Sequence, residues 1–320
     1  MPGRHAVRRV ALFAACIAIL ALAAPARAAF PDRPIQLVVP FPAGGTVDVV
    51  ARKFAESLAA MLHTPVVVVN RDGGSGVIGL QVVAAAQPDG YTLAFAPNGP
   101  LTVQPALAKI AYDLASFEPV CQVFAYSYVL VVPAGSAIDS VGALVARAKS
   151  PQGVKFGFGG IGTAPHFAML ELMRAAHVDV LGVPYRGDPP VALSLKSGDL
   201  DAAVLTVEVA RAQGFRILAA LAPARLAALP NVPTAREQGL DVLATTNAGV
   251  IAPRNLPADV ARALGGGCAA GVRDARFEAG MQAFGQTVSY LDGPAFARAL
   301  GADAEAKRVL IDATGMRQAR

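Results

Sequence analysis

From Phe30 onward, apolar positions alternate between short β-branched runs and longer stretches with one apolar face. IQLVV at 35–39 reads as a strand, residues 46–62 as an amphipathic helix, 65–69 as a second strand, 77–86 as a helix and 91–96 as a third strand. A βαβαβ order implies a mostly parallel sheet with helices on its faces, and the unbroken apolar character of the strands fits a sheet covered on both sides. The stretch FEPVCQVFAYSYVLVVP at 117–133 is too long for one ordinary strand, so two strands joined through 125–128 are expected, carrying the chain from one lobe to another.

A second set follows: helix 140–149, strand 155–158, helix 165–176, strand 180–185, helix 189–196 and strands at 202–207 and 216–221. The Pro-punctuated LPNVPTAREQGL, the apolar NAGVIAP and two or more helices over 257–315 close the chain. The fold class is α/β, with two lobes of similar build. The first lobe takes residues 29–124, the second 125–222, and the first again 223–320, with a cleft between them. The return crossing falls between residues 215 and 251.

Residues 1–28 stand apart. Arg4, Arg8 and Arg9 precede an apolar run from Val10 to Ala24, and Ala26-Arg27-Ala28 ends it, the three-part form of a secretory signal peptide cleaved after Ala28. The run is short of the ~20 residues that span a bilayer. The mature chain is therefore expected to be exported. The leader holds four arginines and no acid, so the net charge of +5 falls to 5 − 4 = +1 in the mature part. With no basic stripe and no Trp, the footprint of nucleic-acid binding is missing. Cys121 and Cys268 remain after export and sit far apart in sequence, which favours two separately buried thiols over a disulfide. His63, His166 and His177 show no metal-ligand spacing, and no cofactor is expected.

Three glycine-bearing loops are candidates for chemistry. Gly74-x-Gly76-x-x-Gly79 follows a strand, as in a dinucleotide site, but Asn70 to Gly73 separate strand from glycine and no acid ends the next strand to hold a ribose. The loop PFPAGGTVD at 40–48 follows the first strand and opens a helix, placing free N–H groups where an anion could sit. Its counterpart FGFGGIGTAPH at 156–166 repeats the design, with Thr163 as a possible cap and Pro165 in the first turn. No G-x-S-x-G motif is present, and Asp48 with His166 makes no triad. Two glycine loops facing one cleft suggest a clamp for a small anion.

The ordered phrases FPDRPIQLVVPFPAGGTVDVVAR, VVVVNRDGGSGVIG, PDGYTLAF, FEPV, GTAPHFAMLEL, VPYRGDPP, LPNVPTAREQGL and GVIAP resemble the periplasmic solute receptors of tripartite tricarboxylate transporters, the TctC or Bug type. The resemblance runs through nearly all of the mature chain. It implies a type II-like periplasmic binding protein of the Venus flytrap kind, each lobe a mostly parallel sheet flanked by helices, that closes on a small organic acid without catalysis. It also implies a monomer working with a large and a small integral-membrane transporter subunit. Carried over by position, the ligand set is Phe41, Pro42, Ala43, Gly44, Gly45, Asp48 and Asn98 from the first lobe. The second lobe adds Gly160, Gly162, Thr163, His166, Tyr185, Arg186, Gly187 and Thr206.

Four departures bear on the ligand. Phe158 and Gly159 stand where the family usually carries a serine pair, and Asn247 marks the place of a common aromatic. Arg186 replaces a lysine, with Asp188 adding a carboxylate beside it, and the stretch 201–214 is shorter than the pattern. Two other readings remain open at this level: a periplasmic receptor serving a signalling protein, and a secreted hydrolase using His166 and Asp48.

Overall fold

The computed structural model describes residues 30–314; the expected signal peptide lies outside them. Among the described residues ten strands are formed: β1 (Ile35–Val39), β2 (Val66–Asn70), β3 (Thr92–Pro97), β4 (Phe117–Val132), β5 (Lys155–Phe158), β6 (Leu181–Pro184), β7 (Ala202–Thr206), β8 (Arg216–Ala220), β9 (Thr245–Pro253) and β10 (Val288–Asp292). The helices are α1 (Thr46–Leu62), α2 (Val77–Ala84), α3 (Asn98–Thr102), α4 (Gln104–Leu107), α5 (Val141–Lys149), α6 (Ala164–Ala176), α7 (Asp188–Ser197), α8 (Val207–Ala212), α9 (Ala258–Gly271), α10 (Ala275–Ala283) and α11 (Gly293–Thr314).

In the first lobe the strand order is β2-β1-β3-β9-β4, with β10 on the far side of β4. The pairs β1/β2 and β1/β3 are parallel, whereas β9, β4 and β10 pair antiparallel. The second lobe runs β6-β5-β7-β4, with β8 beyond β4; β5/β6 and β5/β7 are parallel and β4 is antiparallel to both its neighbours. Each sheet thus has a parallel part built from βαβ units and an antiparallel part where the chain crosses.

The crossing differs from the expectation of two strands. β4 is one continuous sixteen-residue strand. Its first part pairs with β9 and β10, and its last part, Tyr128–Val132, pairs with β7 and β8. Register shifts between Pro119 and Cys121 and between Gln122 and Phe124 bend it, so one strand serves two sheets. The return also comes later than residue 223. Thr234 bridges Ala220, and the Ala220 and Ala235 N–H groups donate to Pro233 O and Ala220 O, which holds this segment beside β8 in the second lobe. Only at Ala244, whose N–H donates to Leu221 O, does the chain leave to begin β9.

The first core forms because α1 carries Val47, Val50, Ala51, Phe54, Ala55 and Leu58, a stripe of helical spacing that is buried against the sheet. Phe54 meets Phe277 of α10 edge-on at 5.5 Å and Phe95 of β3 at 6.0 Å. His63 and His177 end α1 and α6 in the left-handed conformation, donating their N–H groups to Ala59 O and Met173 O. Both are therefore helix terminators rather than ligands.

The two cysteines are paired, against the expectation of separate thiols. Cys121 of β4 and Cys268 of α9 form a disulfide with Cα atoms 6.6 Å apart. Sequence distance misled because α9 lies against β4 in the finished lobe. Closing a loop of this length contributes roughly 2–5 kcal/mol. The Cys121→Ala, Cys268→Ala double variant is expected to lose stability of that order in a denaturant titration, and alkylation of the unfolded mature protein without reductant should modify neither cysteine.

Candidate functional site

The cleft between the lobes holds two adjoining cavities. The inner one, ≈ 60 Å³, is walled by Phe41, Pro42, Gly45, Thr46 and Val47, by Pro97, Gly99 and Pro100, and on the other side by Gly159, Thr163 to Pro165, Gly187 to Pro189 and Thr206. Tyr126, Tyr128 and Thr246 of the crossing strands form its floor. The outer one, ≈ 500 Å³, is bordered by Asp72 to Val77, Gln104, Gly160, Ile161, Tyr185 and Arg186. The lobes touch across it. Thr46 and Thr206, both buried, share a hydroxyl–hydroxyl hydrogen bond of 2.7 Å, and Gln104 Nε2 donates to Ile161 O at 2.7 Å.

Helix starts supply the polar character of the inner cavity. In α1 the N-cap is Gly45, with no side-chain cap, and the first intrahelical bond runs from Val49 N–H to Gly45 O at 3.0 Å. The N–H groups of Thr46, Val47 and Asp48 precede it, so a partial positive charge faces the cleft. Thr163 occupies the N-cap of α6, but its hydroxyl donates to Gly160 O at 2.7 Å instead of capping the helix. Gly160 and Gly162 adopt φ of +130° and +75°, which only glycine takes readily, and a Cβ at Gly162 would meet Leu107 Cδ1 at 2.5 Å.

The floor continues the aromatic row of β4. Phe124 stacks on Tyr126 with centroids 5.0 Å apart, and the Tyr126 and Tyr128 hydroxyls lie 3.2 Å from one another. Burial raises both phenols above their usual range, and the Asp188 charge adds to this, so they stay neutral donors and acceptors. Burial likewise pushes the Asp188 carboxyl up to about 6, even though the Thr206 N–H donates to it at 3.3 Å.

Residues 50–316 match the family described as the tripartite tricarboxylate transporter family receptor. The chain belongs to that family. Protein BugT of Bordetella pertussis is 36% identical over 77% of this chain and 79% of its own length. Among solved structures, the periplasmic binding protein BugD superposes with a TM-score of 0.84 at 28% identity, covering 91% of this chain and 100% of BugD. MatC of Rhodopseudomonas palustris with bound malate gives 0.81 at 25%, covering 88% and 100%.

Within this receptor the positions carried over by resemblance separate into three groups. Phe41, Pro42, Gly45, Thr163, Gly187 and Thr206 line the inner cavity, while Gly160, Tyr185 and Arg186 border the outer one. Ala43, Gly44, Asp48, Asn98, Gly162 and His166 line neither. The side chains of Asp48, Asn98 and His166 are hydrogen-bonded elsewhere. Asp48, 2% exposed, accepts from Gly44 N–H at 2.9 Å, Arg52 Nε at 3.1 Å and Asn70 Nδ2 at 2.8 Å. Asn70 Nδ2 also donates to Phe41 O at 3.0 Å, so this cluster clamps the 40–45 loop from behind. Asn98 Nδ2 turns away to Asp303 Oδ2 of α11, 2.8 Å off.

His166 accepts from Gly162 N–H at 3.1 Å and stacks on Phe158 with centroids 4.5 Å apart. Burial lowers it to about 4, and it holds the second glycine loop in place as a neutral ring. Asp48 and His166 are thus each hydrogen-bonded within its own loop. The NRDGGSG segment is likewise structural. Gly73, Gly74 and Gly76 all take positive φ, and a Cβ on Gly76 would strike Pro100 Cγ at 2.5 Å.

Sequence reasoning missed Tyr126, Tyr128 and Thr246, which strand periodicity marks only as core. It also left Asp188 out of the ligand set, although the carboxylate next to Arg186 was visible.

Burial alone would raise the Asp48 carboxyl, but the hydrogen bonds from Arg52, Gly44 and Asn70 outweigh it and hold it below the ordinary carboxylate range. Its stabilising contribution is therefore present above that range and lost as pH falls through it. Asp48→Asn is expected to lower stability by about 1–3 kcal/mol at pH 7. Thermal melts should show the gap to wild type narrowing below about pH 4.

Proposed function

We propose that the receptor is exported with removal of residues 1–28, works as a monomer in the periplasm and captures a small carboxylate-bearing metabolite between its lobes. It hands that ligand to a large and a small integral-membrane subunit and performs no chemistry on it. The observation that carries this reading is the pair of uncapped helix starts at α1 and α6 on opposite walls of one cavity. Such N–H groups and dipoles favour an anion held from both sides, and closing both lobes on it excludes water. MatC, with malate bound, supports the same ligand class.

Thermal-shift measurement against mono- and dicarboxylates and amino acids tests this. Ligand at a hundredfold excess over Kd stabilises the folded form by about 2.7 kcal/mol. A rise of a few degrees in Tm with at least one carboxylate-bearing compound is expected, while a flat response across the panel would reject the ligand class.

A further inference from the structure

Asp188 gives the inner cavity a feature that a simple carboxylate trap does not need. It stands at the start of α7 on the cavity wall, and no Lys or Arg lines that cavity. Among the described residues Asp188 enters no salt bridge. The carboxylate accepts from the Thr206 N–H at 3.3 Å and from the Thr206 hydroxyl, which leaves further acceptor capacity free to face the ligand. Glu208, a carboxyl that burial pushes up to about 7, adds charge of the same sign, and the two tyrosines on the floor stay neutral. A ligand made only of carboxylates would meet this charge as a repulsion.

Room for the carboxylate depends on a second position. A Cβ on Gly159 would come within 3.1 Å of Asp188 Oδ1 and 3.2 Å of the Gly187 backbone. Glycine at 159 and aspartate at 188 are thus one device: the missing side chain leaves the space in which the carboxylate sits.

We infer that the ligand is a zwitterion of amino-acid type, its carboxylate held by the helix starts of α1 and α6 and its ammonium group by Asp188. This rests on the reading of the cleft as a carboxylate site. The ammonium completes the free acceptor positions of Asp188 with a charge-assisted hydrogen bond, and the Tyr126 and Tyr128 hydroxyls stand close enough to the same wall to accept from it as well. Specificity then comes from a difference, since the same carboxylate that holds an amine rejects the matching deaminated acid.

The test is calorimetric titration of ligand-stripped protein at pH 7.5 with matched pairs: L-aspartate and succinate, L-glutamate and glutarate, 4-aminobutyrate and butyrate. At least one amine-bearing member is expected to bind tenfold or more tightly than its deaminated partner. Asp188→Asn, which keeps the acceptor for Thr206 N–H, should reduce that preference at least tenfold while circular dichroism melts show a folded protein. Gly159→Ser should weaken the amine-bearing ligand in the same direction by crowding the carboxylate. Equal or tighter binding of the deaminated acids by wild type, or an undiminished amine preference in Asp188→Asn, overturns the inference and leaves the carboxylate receptor standing. Silence from every compound in both halves of the panel overturns the two together.

Discussion

One strand joins everything else. β4 passes through both sheets without interruption, and the two lobes are arranged around the bends in its register. Side chains that share a face of a strand recur every second residue. On β4 this places Phe124 in the first core, next to Phe95, and carries the same aromatic row on to Tyr126 and Tyr128, where the cavity floor begins. Core and ligand floor are consecutive positions of one pleated ribbon. Any change in the bend at Gln122–Phe124 would therefore alter both the packing of the first lobe and the spacing between the walls of the cleft.

The walls follow a shared economy of side chains. Charged and polar residues near the cleft mostly brace backbone: Asp48, Arg52 and Asn70 fix one glycine loop, His166 and the Thr163 hydroxyl fix the other, and Asp303 pins Asn98 and Thr102. What remains to meet a solute is N–H groups, hydroxyls and apolar rings. A wall of this kind grips an anion through orientation rather than through a full opposing charge, so desolvating the ligand is offset by dipoles already fixed in place. On the inner cavity Asp188 is the exception.

Much of the architecture could be read from the chain because its strands are continuously apolar and α1 repeats its buried residues at helical spacing. β10 escaped, since VSYLD is half-buried along most of its length and lies between helices, where neither alternation nor an apolar run marks it. The length of β4 was legible and its meaning was not: an ordinary strand is shorter, and only pairing with two sheets explains sixteen residues. In the site, glycine loops announced themselves because positive φ at Gly160, Gly162 and Gly187 restricts the choice of residue. Asp48 and His166 belong to the ligand set only by position, from the family resemblance. The hydrogen bonds they make, to Asn70 and the Gly162 N–H, are fixed by tertiary geometry and by the local turn, respectively, and neither is visible as a motif.

The disulfide has a consequence beyond tightening the first lobe. Cys121 precedes the point where β4 enters the second sheet, and Cys268 follows the point where the chain has returned to the first through β9. Every residue of the second lobe therefore lies inside one covalent ring whose clasp is in the first. A peptide bond cut anywhere on that ring opens it without releasing either piece, and the second lobe could unravel and refold while its two ends stay anchored a few ångströms apart. The lobe is a captive insertion, tied at both ends to the body that holds it.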